Sequence, residues 1–134
     1  MAEALERTKL IAIVEDDVRL AQMFCDILGS FGNWRFQTYQ DGKVAKDELL
    51  LLGADLILLD VGLPNLDGAS LYKILRGHSK TKNIPIIVIT GSHDWELHRM
   101  GLKTGFFLRK PFPMEDLITI IRALLPEEKE SGGI

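Results

Sequence analysis

The chain has 134 residues, 46% of them hydrophobic and 26% charged, with a formal net charge of −3. That balance fits one globular domain with a sizeable core and excludes a disordered chain, and the slight acidity leaves no basic footprint for direct nucleic-acid binding. No apolar stretch approaches the roughly 20 residues of a membrane span, and Met1–Thr8 has no apolar core for a secretory signal, so a cytoplasmic protein without membrane insertion is expected.

Lys9–Val14 is apolar after its first residue, as in a strand buried on both faces. A helical period then takes over at Val18, Ala21, Met23, Phe24, Ile27 and Leu28, stopped by Gly29 and Gly32. Cys25 lies within that pattern and reads as a small buried side chain. Trp34–Thr38 predicts a second strand, near an edge, and Asp41-Gly42 turns the chain into a helix over about 43–52 that Gly53 ends. Leu56–Asp60 is the third strand. A loop rich in turn formers, Val61–Gly68, leads to a helix over 69–76 and then a polar loop, His78–Asn83. Pro85–Thr90 is the fourth strand, with Pro85 where its missing N–H matters least. Asp94 is placed to cap a helix reaching about Leu102, Phe106–Arg109 is the last strand, and Met114–Leu125 the last helix.

Five strands alternating with five helices predict an α/β fold: a five-stranded parallel sheet with helices on both faces, because parallel neighbours need crossover connections. The expected organisation is an N-terminal extension over 1–8, one domain over 9–125 and a flexible tail over 126–134. There is no internal repeat.

Chemistry gathers at the strand ends. The first runs into Glu15-Asp16-Asp17, the third into Asp60, the fourth into Thr90, and the fifth reaches Lys110 by way of Arg109. In a parallel sheet these residues share the carboxyl edge, where open α/β sheets bind ligands. Two carboxylates about 4 Å apart repel by roughly 4 kcal/mol at an effective dielectric near 20. Such a cluster either holds protons or binds a hard cation, and Mg²⁺ suits a site of few carboxylates that also receives a phosphate oxygen. Alternation sends Arg109 to the other face, leaving Lys110 as the cation of the edge, and Pro111 offers a place for a cis bond. Any one Asp after a strand is more often a helix cap or turn former; complementary groups on four strand ends are not explained that way.

Ile11–Asp17, Asp55–Gly68 (DLILLDVGLPNLDG), Pro85–Gly91 and Phe107–Phe112 (FLRKPF) resemble the response-regulator receiver domains of two-component signalling over about Lys9–Leu125. The resemblance implies a flavodoxin-like (βα)5 fold with strand order 2-1-3-4-5. It implies that Asp60 accepts a phosphoryl group from a histidine kinase or phosphotransfer protein. Mg²⁺ would be held by Asp16, Asp60, the Gly62 backbone carbonyl and, through water, Glu15. Lys110 and Thr90 would bind the phosphoryl oxygens, and Thr90 and Phe107 would form a switch that alters a downstream partner's affinity for the last two helices and last strand. The chain would then be a signalling phosphoacceptor, not an enzyme acting on other substrates.

It departs from the family pattern at Gly62, Gly91, Lys103-Thr104 and Phe107, without losing a group the chemistry needs. A dehalogenase-type phosphatase would want an acid at Gly62, and a flavodoxin-like cofactor carrier would not place Glu15-Asp16-Asp17 at its phosphate loop. Two further alternatives are an interaction scaffold not controlled by phosphorylation and a fragment of a larger regulator or hybrid kinase. His78, His93 and His98 lack metal-ligand spacing and read as surface residues.

Overall fold

The computed structural model describes residues 8–63, 65–91 and 106–126. Five strands, β1 (Lys9–Val14), β2 (Trp34–Tyr39), β3 (Leu56–Asp60), β4 (Ile86–Thr90) and β5 (Phe106–Arg109), form one parallel sheet in the order β2-β1-β3-β4-β5. Four helices are described: α1 (Val18–Gly29), α2 (Gly42–Leu52), α3 (Gly68–Gly77) and α4 (Met114–Leu124). The helix expected from Asp94 to Leu102 lies outside the described residues, as do His93, His98 and Lys103-Thr104. The proposed end segments lie outside them too, except Thr8 and Pro126. Among the described residues, no helix is long and apolar enough to cross a membrane.

Strand pleating sorts the apolar runs into two cores. Ile11, Ile13, Leu56, Leu58, Ile87 and Ile89 face α1 and α4. Ala12, Val14, Ile57, Leu59, Ile86 and Val88 face Ala45 and Leu49 of α2 and Leu71 and Leu75 of α3. Burying one such Leu or Ile side chain contributes roughly 1.5–3 kcal/mol, so the central strands have little freedom to slip. A shift by one residue would exchange the two faces.

Helix α1 presents a narrower face than the spacing predicts: Ala21, Phe24 and Leu28 are buried, whereas Val18 and Met23 are exposed. Cys25 is half-buried against the core beside them. Ser30, whose N–H reaches the Ile27 and Leu28 carbonyls in a right-handed conformation, closes the helix, so Gly29 supplies no left-handed cap. Gly53 ends α2 at φ 71° and ψ −170°, an extended backbone of positive φ that favours glycine, with its N–H donating to the Leu49 carbonyl at 2.8 Å. The polar loop before β4 is tied down. Buried Thr81 donates to the Leu75 carbonyl at 2.6 Å, and Arg76 Nη1 donates to the carbonyls of Lys82 at 3.1 Å and Ile84 at 2.6 Å.

The first crossover runs from β1 outward to β2, and the chain then returns past β1 to β3. Strand order therefore reverses beside β1. The crevice this opens lies at the carboxyl ends of β1 and β3, where Glu15, Asp16 and Asp60 stand.

Candidate phosphoacceptor and metal site

Each site residue is delivered by its strand. Glu15 follows β1 directly and is tied to the sheet, its N–H donating to the Tyr39 carbonyl at 2.8 Å. Its side chain is only 3% exposed. Asp60 ends β3, in register with Ile89, so Thr90 stands one position further along the neighbouring strand and is buried. Lys110 follows β5, its N–H donating to the Thr90 carbonyl at 2.8 Å. The Lys110-Pro111 bond is cis, at the place the sequence offers for one.

These positions bring the acids and the lysine together. Lys110 Nζ lies 3.4 Å from Glu15 Oε1 and 3.5 Å from Asp60 Oδ2. The Gly62 N–H donates to Asp60 Oδ1 at 3.0 Å, so Gly62 and Lys110 engage different oxygens of the carboxylate. One carboxylate oxygen each from Glu15, Asp16 and Asp60 lies within 4.8 Å of the others. Asp17 does not join them. It caps α1 instead, accepting from the N–H groups of Arg19 and Leu20 at 3.0 and 3.3 Å.

Charge crowding shows in the titration. Burial, then hydrogen bonding and repulsion involving Asp60, push the Glu15 carboxyl up to about 8, against the pull of Lys110. Burial also acts to raise Asp60. Glu15, the Gly62 N–H and Lys110 outweigh it and hold that carboxyl below its ordinary value. Lys110 is desolvated, but the charges of Asp60 and Glu15 prevail and raise it. The buried Glu15 Oε2 has no hydrogen-bond partner, and a proton on that carboxyl would let it bond to Asp60. An all-oxygen cluster with one orphaned buried oxygen fits a hard divalent cation, which would replace the missing proton.

Around this centre, Phe107 of β5 is half-buried against the core on the α2/α3 face, beside Val88 in register. Gly62 is exposed, and a Cβ there would stand 3.8 Å from Asp60 Oδ1. The structure also supplies two neighbours that the sequence reading treated only as turn formers. Asn65, in the left-handed region at φ 66°, donates its side-chain amide to Asp41 Oδ2. These residues are 24 apart in sequence and carry no motif that pairs them, so only the packing of α2 against the β3–α3 loop could disclose the contact.

Comparison with known proteins agrees with this geometry. The model of the response regulator receiver domain matches residues 11–122. Response regulator ArlR of Staphylococcus saprophyticus is 35% identical over 126 residues, covering 92% of this chain and 56% of that protein. The chain thus spans little more than half the length of the curated relatives it matches. The receiver domain of a signal transduction histidine kinase from Syntrophus aciditrophicus superposes with a TM-score of 0.80 at 30% identity, over 95% of this chain and 97% of that one. A likeness of fold extends to the receiver domain of sensor histidine kinase PA1611 of Pseudomonas aeruginosa, solved with a magnesium ion in its active-site cleft. That match has a TM-score of 0.77 at 24% identity and covers 90% and 99% of the two chains. With a family match across almost all of the sheet and its helices, and the strand order to go with it, the chain belongs to the response-regulator receiver family.

Proposed function

We propose that this receiver is the phosphoacceptor of a two-component or phosphorelay pathway, with Asp60 as the acceptor and a cytoplasmic histidine kinase or phosphotransfer protein as the donor. The observation that carries the reading is the setting of Asp60, held by the Gly62 N–H on one oxygen and facing Lys110 Nζ with the other, beside Glu15 and Asp16. Its depressed pKa keeps the carboxylate ionised, the form that attacks phosphorus.

The step is a displacement at phosphorus. A carboxylate oxygen of Asp60 forms an O–P bond, the P–N bond to the donor histidine breaks, and its electron pair returns to the imidazole. The product is an acyl phosphate on Asp60. Lys110 exchanges part of its pairing with Asp60 and Glu15 for the incoming phosphoryl oxygens, and the Thr90 hydroxyl donates to the same group. Asp16, Asp60, the Gly62 carbonyl and, through water, Glu15 would hold Mg²⁺, whose charge supplies electrostatic stabilisation as negative charge spreads over the equatorial oxygens. Drawing Thr90 toward Asp60 frees space for Phe107 to turn inward, and the surface of the last strand and flanking helices then changes its affinity for a partner. We assign no reaction on other substrates. The chemistry is the chain's own phosphorylation and dephosphorylation.

The test is labelling by acetyl phosphate. Wild type should form an acyl phosphate when Mg²⁺ is present and lose it on chelation, while Asp60→Ala should form none. Equal labelling of Asp60→Ala would overturn the assignment. A wild type that cannot be labelled, yet still binds a partner, would favour an interaction scaffold.

A further inference from the structure

The loop that carries Gly62 is fastened at both ends by its own strand and helix. Gly68 N–H donates to the Val61 carbonyl at 3.0 Å, and Asp67 caps α3 through the Ser70 N–H at 2.8 Å. Its middle is fastened from elsewhere. Asp41 uses Oδ1 to accept from Lys43 and Val44 N–H at 2.7 and 3.2 Å, which caps α2, and Oδ2 to accept the Asn65 amide. Next to it, α2 begins on Gly42, where a Cβ would stand 1.9 Å from the Leu66 carbonyl oxygen. Only glycine permits so close an approach. Asn65 tolerates its left-handed backbone better than most side chains do. Two adjacent contacts thus press the start of α2 onto the loop, three and four residues beyond Gly62.

We infer that Asp41 and Asn65 are positioning residues for the metal site, holding the β3–α3 loop so that the Gly62 backbone faces the acidic cluster. The inference rests on the proposed Mg²⁺ site. Groups that orient a metal ligand without touching the metal commonly govern affinity by tenfold or more, and here the oriented ligand is a backbone carbonyl with no side chain of its own to fix it. The Asn65 amide also holds the Asp41 carboxyl below its usual range, as a persistent hydrogen bond should.

The test is Mg²⁺ binding by calorimetry on the whole chain. Asp41→Ser keeps a cap for α2 but cannot reach Asn65, and Asn65→Gly keeps the left-handed backbone but removes the amide. Each should raise the Mg²⁺ dissociation constant about tenfold. The double variant should be no weaker than either single, because both remove the same contact. Asp41→Asn, which caps α2 through its one amide oxygen and can donate its amide nitrogen to the Asn65 carbonyl oxygen once the Asn65 amide turns over, should bind within about twofold of wild type, and all four should melt within a few degrees of it. Unchanged affinity in the single variants, or losses that add in the double, would overturn the inference. Failure of the wild type itself to bind Mg²⁺ would instead remove the metal reading, and the inference with it.

Discussion

Glu15 carries the sharpest consequence at the scale of single residues. Its carboxyl is pushed from an ordinary 4.5 to about 8, chiefly by burial and then by Asp60, so the folded chain holds that proton more tightly than the unfolded chain does. Its contribution to stability is complete below about 4.5 and disappears as pH rises through about 8. Metal-free protein should therefore lose thermal stability across that window, Glu15→Gln should lose less, and saturating Mg²⁺ should flatten the wild-type profile. Identical pH profiles for wild type and Glu15→Gln would contradict the shift. Gly62 gives a kinetic expectation. A side chain there would begin 3.8 Å from Asp60 Oδ1 and screen the phosphorylated carboxylate from water, so Gly62→Leu should lengthen the acyl-phosphate half-life severalfold in a phosphate-release assay. Of the acids after β1, spacing identified the crowd and family resemblance assigned Asp16 and Glu15 to the metal, but nothing in the sequence set Asp17 apart as the cap of α1. Asp16 and Asp17 are both exposed, and only the backbone path places one beside Asp60 and turns the other onto α1.

Elements were legible where a period or a punctuating residue is strong. The five predicted strands end within a residue of the observed ones, and Gly53 ends α2 as expected, at a positive φ. The face of α1 was less legible: Val18 and Met23 fit a helical period, yet the sheet below buries only a stripe of Ala21, Phe24 and Leu28. Helix caps join elements to the site. Asp67 caps α3 through Ser70 N–H and Oγ, so Asp67→Ala should cost about 1 kcal/mol in denaturant unfolding. Loss of Mg²⁺ affinity alone, without loss of stability, would contradict that capping role. Just after β5, Lys110 contacts both Glu15 and Asp60. Lys110→Ala should still label with acetyl phosphate, but the label should no longer change partner affinity. Partner binding that responds normally in that variant would remove Lys110 from the switch.

Across the whole molecule, parallel β/α alternation was readable from composition and spacing, whereas the strand order followed from family resemblance. Nothing in the apolar runs distinguishes β1 from β3 as the centre of the sheet, since both are buried on two faces. Crossover handedness narrows the windings, and the reversal beside β1 then fixes where a site can form. Contacts such as Asp41 with Asn65 stay invisible until the fold is closed, because they depend on how two elements meet and not on either alone. The core should be correspondingly intolerant. Leu58 is 1% exposed between strands, and Leu58→Ala should destabilise unfolding by about 2–5 kcal/mol, with a shift under 1 kcal/mol contradicting the packing described.

The most direct measurement is chemical mapping of the phosphorylated residue. Protein treated with acetyl phosphate and Mg²⁺ is reduced with borohydride, which converts an acyl phosphate to an alcohol, and the peptides are read by mass spectrometry. Reduction should appear at Asp60 alone and vanish in Asp60→Asn. Reduction at Asp16 or Glu15 in its place, or undiminished labelling of Asp60→Asn, would contradict the assignment of Asp60 as the acceptor.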